Sequence, residues 1–166
     1  MLSSPVAAAA QTYQEWHEQL EQSVARNAWD AADAAYRGVL DTTKKPTPLE
    51  HVLGARAALA LGNINDAIER LEEADGEEEF VAQSLGEVRN NYADAKLKVP
   101  GSHSGSVSLV ARDNPIDPAK RRTVELTRKA LEAKGKYSGL LPVGRYRLGK
   151  TEFEVVIGEM AKAKFE

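Results

Sequence analysis

Cysteine is absent from this chain of 166 residues, so a disulfide, a zinc–thiolate centre, an iron–sulfur cluster and a cysteine nucleophile are all excluded. Long apolar runs are absent too. None approaches the roughly 20 residues that span a bilayer, so we expect no transmembrane helix. Hydrophobic residues nevertheless make up 42% of the chain and charged residues 28%. This balance is typical of one folded globular domain or of two small ones.

Motifs for catalysis and for cofactor binding are also missing. The sequence has no P-loop, dinucleotide fingerprint or Gly-x-Ser-x-Gly elbow. Its three histidines, His17, His51 and His103, do not follow a metal-ligand spacing. The acidic run at 77–79 lacks the alternating ligands and central glycine of a calcium loop, and a charge cluster at a helix start accounts for it. We therefore predict a protein that is not an enzyme and holds no metal or cofactor.

Positive and negative charges are unevenly divided along the chain. Residues 1–100 hold 9 Lys and Arg against 17 Asp and Glu, a net charge of −8, whereas residues 101–166 hold 13 against 8, a net charge of +5. Nucleic-acid binding usually shows denser Lys and Arg with interleaved aromatic residues, or a known motif, so we expect no nucleic-acid partner. A solvated basic face explains the charge, and contact with the acidic part of the same or another copy is the alternative.

Residues 1–12 are predicted to be an unstructured lead or the remnant of a signal peptide. The first basic residue is Arg26, so the basic region of a secretory signal is incomplete. Ala8 and Ala10 nevertheless have the small size required before a cleavage point. A signal remnant implies a periplasmic or cell-envelope protein, and an alanine-rich lead-in to the first helix leaves a cytoplasmic location as the alternative.

Residues 13–98 are predicted to form a helical domain of two helix pairs followed by a fifth helix. Apolar residues recur at helical spacing through most of this range. Asn27 and Gly62 interrupt the pattern between the two helices of each pair, and Asn65 is expected to cap the fourth helix. The fifth helix is predicted over residues 80–97.

The two helix pairs contain related stretches, because Asn27–Ala32 aligns with Gly62–Ala67 at an offset of 35 residues. A period in this range indicates stacked supersecondary units. Together with Trp16 early in the first helix, the stretch from Gly62 to Ala74 resembles the tetratricopeptide repeat (TPR) family. The resemblance covers residues 13–97 and implies antiparallel helical hairpins that small residues allow to nest.

The resemblance to the TPR family also implies a partner-binding concave face, lined by the first helix of each pair. Paired Lys and Asn residues that grip a peptide carboxylate in some family members are missing at these positions, so that activity is not implied. A helix or an extended peptide is the expected ligand, and packing against the fifth helix or the C-terminal part is the alternative. By position the concave face comprises Gln14, His17, Glu21, Leu49, Val52, Arg56 and Leu59.

A Ser/Gly-rich linker is predicted at residues 99–105, followed by a small β domain over residues 106–166. The alternation of Val107 and Leu109 with serines indicates its first strand. Three short apolar–polar alternations joined by tight turns over residues 146–165 predict an antiparallel meander.

The sequence of residues 119–134 is compatible with a helix and with a strand. Asp117-Pro118 is a good helix start and Gly135 a good helix end. The alternation of apolar and polar residues over 121–128 instead favours a strand. We prefer the strand.

The segment Leu141–Tyr146 has the sequence Leu-Pro-Val-Gly-Arg-Tyr. It resembles a strand-joining turn of the carboxypeptidase-regulatory-like and PEGA-type β-sandwich domains. The resemblance covers residues 105–166 and implies that Pro142 and Gly144 shape the turn while Tyr146 packs inside. Such domains are mostly accessory modules and often belong to the cell envelope.

The predicted fold class is therefore α+β, with N-terminal TPR-like antiparallel helical hairpins followed by a small antiparallel β-sandwich-like module. The predicted function is a non-enzymatic protein–protein interaction or scaffold role, in which a partner protein or peptide binds on the TPR-like surface. A structural cell-envelope component that self-associates is the alternative, and an enzyme with a site at the domain junction is the third hypothesis.

Overall fold

The computed structural model describes residues 9–166, so residues 1–8 of the predicted lead lie outside the described residues. These described residues form six helices and six strands, which confirms the mixed α+β class. No helix in this range is both long and apolar enough to cross a bilayer. The helices are α1 (Tyr13–Ala25), α2 (Trp29–Leu40), α3 (Pro48–Ala60), α4 (Ile64–Glu72), α5 (Glu78–Asn91) and α6 (Pro118–Lys134). The strands are β1 (Tyr92–Lys98), β2 (Leu109–Ala111), β3 (Lys136–Pro142), β4 (Gly144–Leu148), β5 (Thr151–Val155) and β6 (Ala161–Lys164).

The first four helices repeat their local structure at the same 35-residue offset as the sequence. Helices α1 and α3 begin and end 35 residues apart, and α2 and α4 begin 35 residues apart. Thr12 and Thr47 cap the first helix of each pair through a reciprocal capping box with Glu15 and Glu50. Each pair is joined by a turn with one residue at positive φ, Asn27 at 54° and Gly62 at 74°. The repeated sequence therefore specifies a repeated pair of helices.

Small residues set the spacing between these helices. Helix α1 packs on α2, α2 on α3, and α3 on α4. A Cβ atom added to Gly38 would lie within 3.0 Å of the Trp16 ring, and one added to Gly54 would lie equally close to the Tyr36 ring. Ala32 is fully buried beside them. The aromatic rings of one helix thus lie directly against the backbone of the next.

The strands form two three-stranded sheets, with orders β3-β1-β6 and β2-β4-β5. Strand β1 pairs antiparallel with β3 and parallel with β6. The second sheet is antiparallel throughout. Both sheets and helix α6 contribute to one apolar core, whose fully buried members include Leu97, Leu131, Leu141, Leu148 and Val155.

The predicted fifth helix was wrong in its last third, over residues 92–97. Helix α5 ends at Asn91, and Tyr92–Lys98 forms β1, the central strand of its sheet. The helix-forming residues Ala and Lys favour a helix in this segment locally. The alternation of buried Ala95 and Leu97 with exposed Asp94 and Lys96 decides the outcome, because it places the apolar side chains on the core face of a strand. Residues predicted to end the helical domain therefore pair with residues from the end of the chain.

The preferred strand over 121–128 was wrong, since these residues belong to α6. Asp117 caps the helix by accepting a hydrogen bond from the Ala119 N–H at 2.9 Å, and Gly135 ends it at φ 68°. The buried face contains Val124 and Leu131 together with two threonines. Each threonine hydroxyl donates to a backbone carbonyl, and these hydrogen bonds allow the threonines to be buried. Two of the four buried residues of the helix are therefore polar, and the sequence shows no continuous apolar face. The buried threonines are Thr123 and Thr127.

The predicted meander is correct for its first two strands only. Strands β4 and β5 pair antiparallel, but β6 joins the other sheet and runs parallel to β1. The turn over residues 141–146 joins β3 of one sheet to β4 of the other. Tyr146 is buried there, and its hydroxyl donates to the Pro142 carbonyl at 2.6 Å, while Gly144 adopts φ 148°.

Candidate functional site

The seven residues predicted to form a concave face differ in burial and do not form one surface. Val52 is buried and Leu49 is exposed at the start of α3. On α1, Gln14 and Glu21 are exposed, whereas His17 is half-buried. Arg56 and Leu59 share a depression, of about 370 Å³, between α3 and α5. Binding at this face stays a prediction.

His17 belongs to a hydrogen-bond network around Glu50, whose side chain is fully buried. The Tyr13 hydroxyl donates to Glu50 Oε1 at 2.7 Å, and His17 Nδ1 lies 2.6 Å from the same oxygen. The Thr47 N–H donates to Oε2 at 2.7 Å. Burial alone would raise the pKa of Glu50, but these hydrogen bonds outweigh it and hold that pKa below its usual value. The hydrogen bond to Glu50, helped by burial, raises the pKa of Tyr13 to about 12.

A second buried network joins α2, α3 and α4 through Arg70. Its guanidinium donates to Asp33 Oδ1 at 2.6 Å and to the Gly54 carbonyl at 2.8 Å, and it lies 4.4 Å above the Tyr36 ring centre. The Tyr36 hydroxyl lies 2.9 Å from Nδ1 of His51. Burial lowers the pKa of His51, so this histidine is neutral at neutral pH and its ring nitrogen is available to accept the tyrosine hydrogen. Both networks hold helices together.

The depressed pKa of His51 predicts a loss of stability on acidification. As the pH falls below the ordinary histidine value of about 6.5, the unfolded chain takes up a proton that the folded chain resists, so the free energy of unfolding decreases. In urea titrations between about pH 7 and about pH 5, the decrease should be smaller for His51→Gln than for the wild type. His103→Gln serves as the control. Equal decreases in the wild type and His51→Gln would show that His51 does not contribute.

A cleft of about 880 Å³ lies between the helical part and the sheet of β1. Helices α4 and α5 form one wall, strands β1 and β3 the other, and residues 157–160 of the loop between β5 and β6 complete the lining. We call this the junction cleft. Its apolar lining comes from Ile68, Leu85, Val88, Leu140, Ile157 and Met160, and its charged lining from Glu69, Glu72, Asp94, Glu159 and Arg89.

The loop presents large aliphatic side chains to solvent at the mouth of the junction cleft. Ile157 is 52% exposed and Met160 is 44% exposed. Both line the cleft together with apolar residues of the two helices. Covering exposed apolar surface with a ligand lowers the free energy by about 25 cal/mol per Å² of area removed from water.

Hydrogen bonds between the helices and the sheet fix the walls of the junction cleft. Asn65 was predicted to cap α4, but Asn63 occupies that position and Asn65 lies within the helix. The Asn65 side chain instead accepts a hydrogen bond from the Leu140 N–H and donates one to the Tyr137 hydroxyl, each at 3.1 Å. Helix α4 is therefore bound to the outer edge of β3.

The lining of the junction cleft combines apolar side chains with four carboxylates and one guanidinium. Among residues 9–166, no group of three or more His, Asp and Glu side chains is placed to hold a metal ion. Searches among protein-family models, curated proteins and solved structures found no match for this chain. The function is therefore inferred from the geometry of the cleft.

Proposed function

We propose that this is a non-enzymatic interaction protein that binds a segment of a partner protein. The helical part is a short TPR-like array in this proposal, and the two sheets are a small β-sandwich-like module. The shared 35-residue offset of helix starts, caps and turns supports the array. The apolar core common to both sheets supports the module. A location in the cell envelope stays a prediction.

The junction cleft is the binding site in this proposal, and its solvent-accessible aliphatic rim is the observation that carries it. Ile157 and Met160 stand at the mouth of a cleft that has apolar walls from both halves of the chain. The depression beside Arg56 and Leu59 has less than half that volume. A peptide segment in the junction cleft would cover the rim and bury the apolar walls.

Selection of random peptides displayed on phage tests the proposal. Peptides enriched on the wild type should lose at least about tenfold in affinity for Ile157→Asn and Met160→Asn, because each variant places an unpaired polar group in the apolar contact. Ile116→Asn is the matched control, since Ile116 is 90% exposed and lies outside the cleft. Affinities are measured by fluorescence polarisation with synthetic copies. Failure to enrich any peptide, or equal affinity for all three variants, would contradict the proposal.

A further inference from the structure

Strand β1 has a complete partner on one edge and an incomplete one on the other. Its pairing with β3 covers all residues from Tyr92 to Lys98. Its pairing with β6 begins only at Ala95, which lies beside Ala161. Within the described residues, no strand pairs with this second edge at 92–94. The same three residues line the junction cleft.

The hydrogen bonds around β1 show where its backbone groups point. On the β3 side, the Asn91 carbonyl accepts from the Val143 N–H, and the Val99 N–H donates to the Gly135 carbonyl. On the β6 side, the Lys98 carbonyl accepts from the Phe165 N–H. Odd-numbered residues therefore face β3 and even-numbered residues face β6, because successive residues of a strand direct their backbone groups to opposite edges.

This alternation leaves two backbone groups beyond the start of β6. The Tyr92 carbonyl and the Asp94 N–H both point to the second edge, where β6 has not yet begun. The chain before β6 forms a turn and not a strand over residues 157–159, with Gly158 at φ 80°. An acceptor and a donor therefore face the junction cleft at the spacing of a β ladder.

The charged residues around this edge favour a positively charged ligand. Four carboxylates and a single guanidinium line the junction cleft. None of the four carboxylates forms an ion pair within residues 9–166. A cationic segment would therefore meet uncompensated negative charge, and an anionic one would be repelled.

We propose that an extended, basic segment of a partner protein occupies the junction cleft and adds as a strand to the edge of β1, in line with β6. This inference rests on the proposed function. The added strand hydrogen-bonds to the Tyr92 carbonyl and the Asp94 N–H. Its alternate side chains face the apolar walls and the carboxylates, where Lys or Arg pairs with acidic residues such as Glu72 and Glu159.

Peptides of alternating Lys and Val test the strand addition. A labelled Lys–Val peptide should bind the wild type, and a Glu–Val peptide should not. Backbone N-methyl groups placed on all lysines or on all valines remove the donors of one edge or the other. One of the two methylated peptides should lose at least about tenfold in affinity and the other should lose little, because a single edge of an added strand faces β1.

Variants of the protein separate the backbone contact from the charge. Asp94→Pro removes an N–H that does not bond to β3, so it should abolish binding of the Lys–Val peptide, whereas Asp94→Ala should weaken it less. Exchange of the Asp94 amide hydrogen, followed by NMR, should slow when the peptide is added. Glu159→Lys should weaken binding at least about tenfold, and Glu79→Lys, which makes the same charge change outside the cleft, should not.

The outcomes distinguish this inference from the proposed function. If phage-selected peptides depend on Met160 but the Lys–Val peptide does not bind, or if both methylated peptides bind equally, strand addition is wrong and cleft binding stands. If no peptide depends on Met160, both proposals are wrong. Dimerisation of the protein alone that is lost in Met160→Asn would place a second copy in the cleft and would overturn the basic-segment assignment.

Discussion

Gly54→Ala should lower the free energy of unfolding by about 2–3 kcal/mol, although alanine normally stabilises a helix by about 1 kcal/mol relative to glycine. The new methyl group would lie within 3.0 Å of the Tyr36 ring. That ring is buried, its hydroxyl is bonded to His51, and the Arg70 guanidinium covers it. Its contacts with His51 and Arg70 therefore oppose movement of the ring away from the new methyl group.

Gly86→Ala is the matched control for this substitution. Gly86 is also helical, but no atom outside its chain neighbours and the nearby backbone of its own helix lies within 4 Å of the position that its Cβ would occupy. The same chemical change should here stabilise the protein by about 0.5–1 kcal/mol. Urea unfolding followed by circular dichroism and tryptophan fluorescence gives both values. A Gly54→Ala variant as stable as the wild type would show that the aromatic contacts do not set the spacing of the helices.

Leu148→Ala should lower the free energy of unfolding by about 3 kcal/mol or more. Leu148 is fully buried in the core that both sheets share, so the smaller alanine side chain would leave a cavity. The thermal midpoint should fall by the same amount whether unfolding is followed by circular dichroism or by fluorescence. Trp16 and Trp29 both lie in the helical part, so fluorescence reports on residues far along the chain from the substitution.

Contacts made by α6 and Asn65 are the reason to expect this coupling. The Thr123 hydroxyl donates to the Gly62 carbonyl at 2.6 Å, and Arg122 donates to the Ala60 carbonyl at 2.9 Å. Asn65 binds the backbone of β3. Leu126→Ala, at a position 43% exposed, should change stability by no more than about 0.5 kcal/mol. A fluorescence transition unaffected by Leu148→Ala would show that the helices unfold separately from the sheets.

The elements that the sequence predicts well are those whose signals are local. The first four helices have capping residues, turn residues and apolar faces within a few positions of one another, as Thr12, Asn27 and Thr47 illustrate. The burial of Glu50 is different. Its capping role follows from its position three residues after Thr47 in the sequence. Its burial depends on Tyr13 and His17, which belong to another helix.

The elements that the sequence predicts poorly depend on partners far along the chain. Strand β1 is a strand because β3 and β6 flank it, and these begin 44 and 69 residues after Tyr92. Helix α6 buries two threonines whose hydroxyls find carbonyls in and beyond the helix, so its buried stripe does not resemble an apolar face. Neither the pairing with distant strands nor the hydrogen bonds of the buried threonines can be predicted from local propensity.

The junction cleft combines four separate segments, so no single motif predicts it. One local signal was present in the sequence. Val156, Ile157 and Met160 flank the turn at Gly158-Glu159, where polar residues are usual. Large apolar residues on a turn that are exposed in the folded chain indicate a contact surface. The acidic character of the opposite wall becomes apparent only when α4, α5 and β1 are brought together.

Asn65 has a consequence for the behaviour of the protein at high concentration. Its side-chain oxygen accepts a hydrogen bond from the Leu140 N–H, and the Tyr137 hydroxyl donates one to the Leu140 carbonyl. At this position the outer edge of β3 therefore has no free backbone group with which another strand could pair. These two side chains therefore hinder the pairing of another copy with β3 at Leu140, a contact of the kind that leads to fibrils. Asn65→Ala should therefore shorten the lag before thioflavin-positive aggregates form, even at temperatures where the chain stays folded.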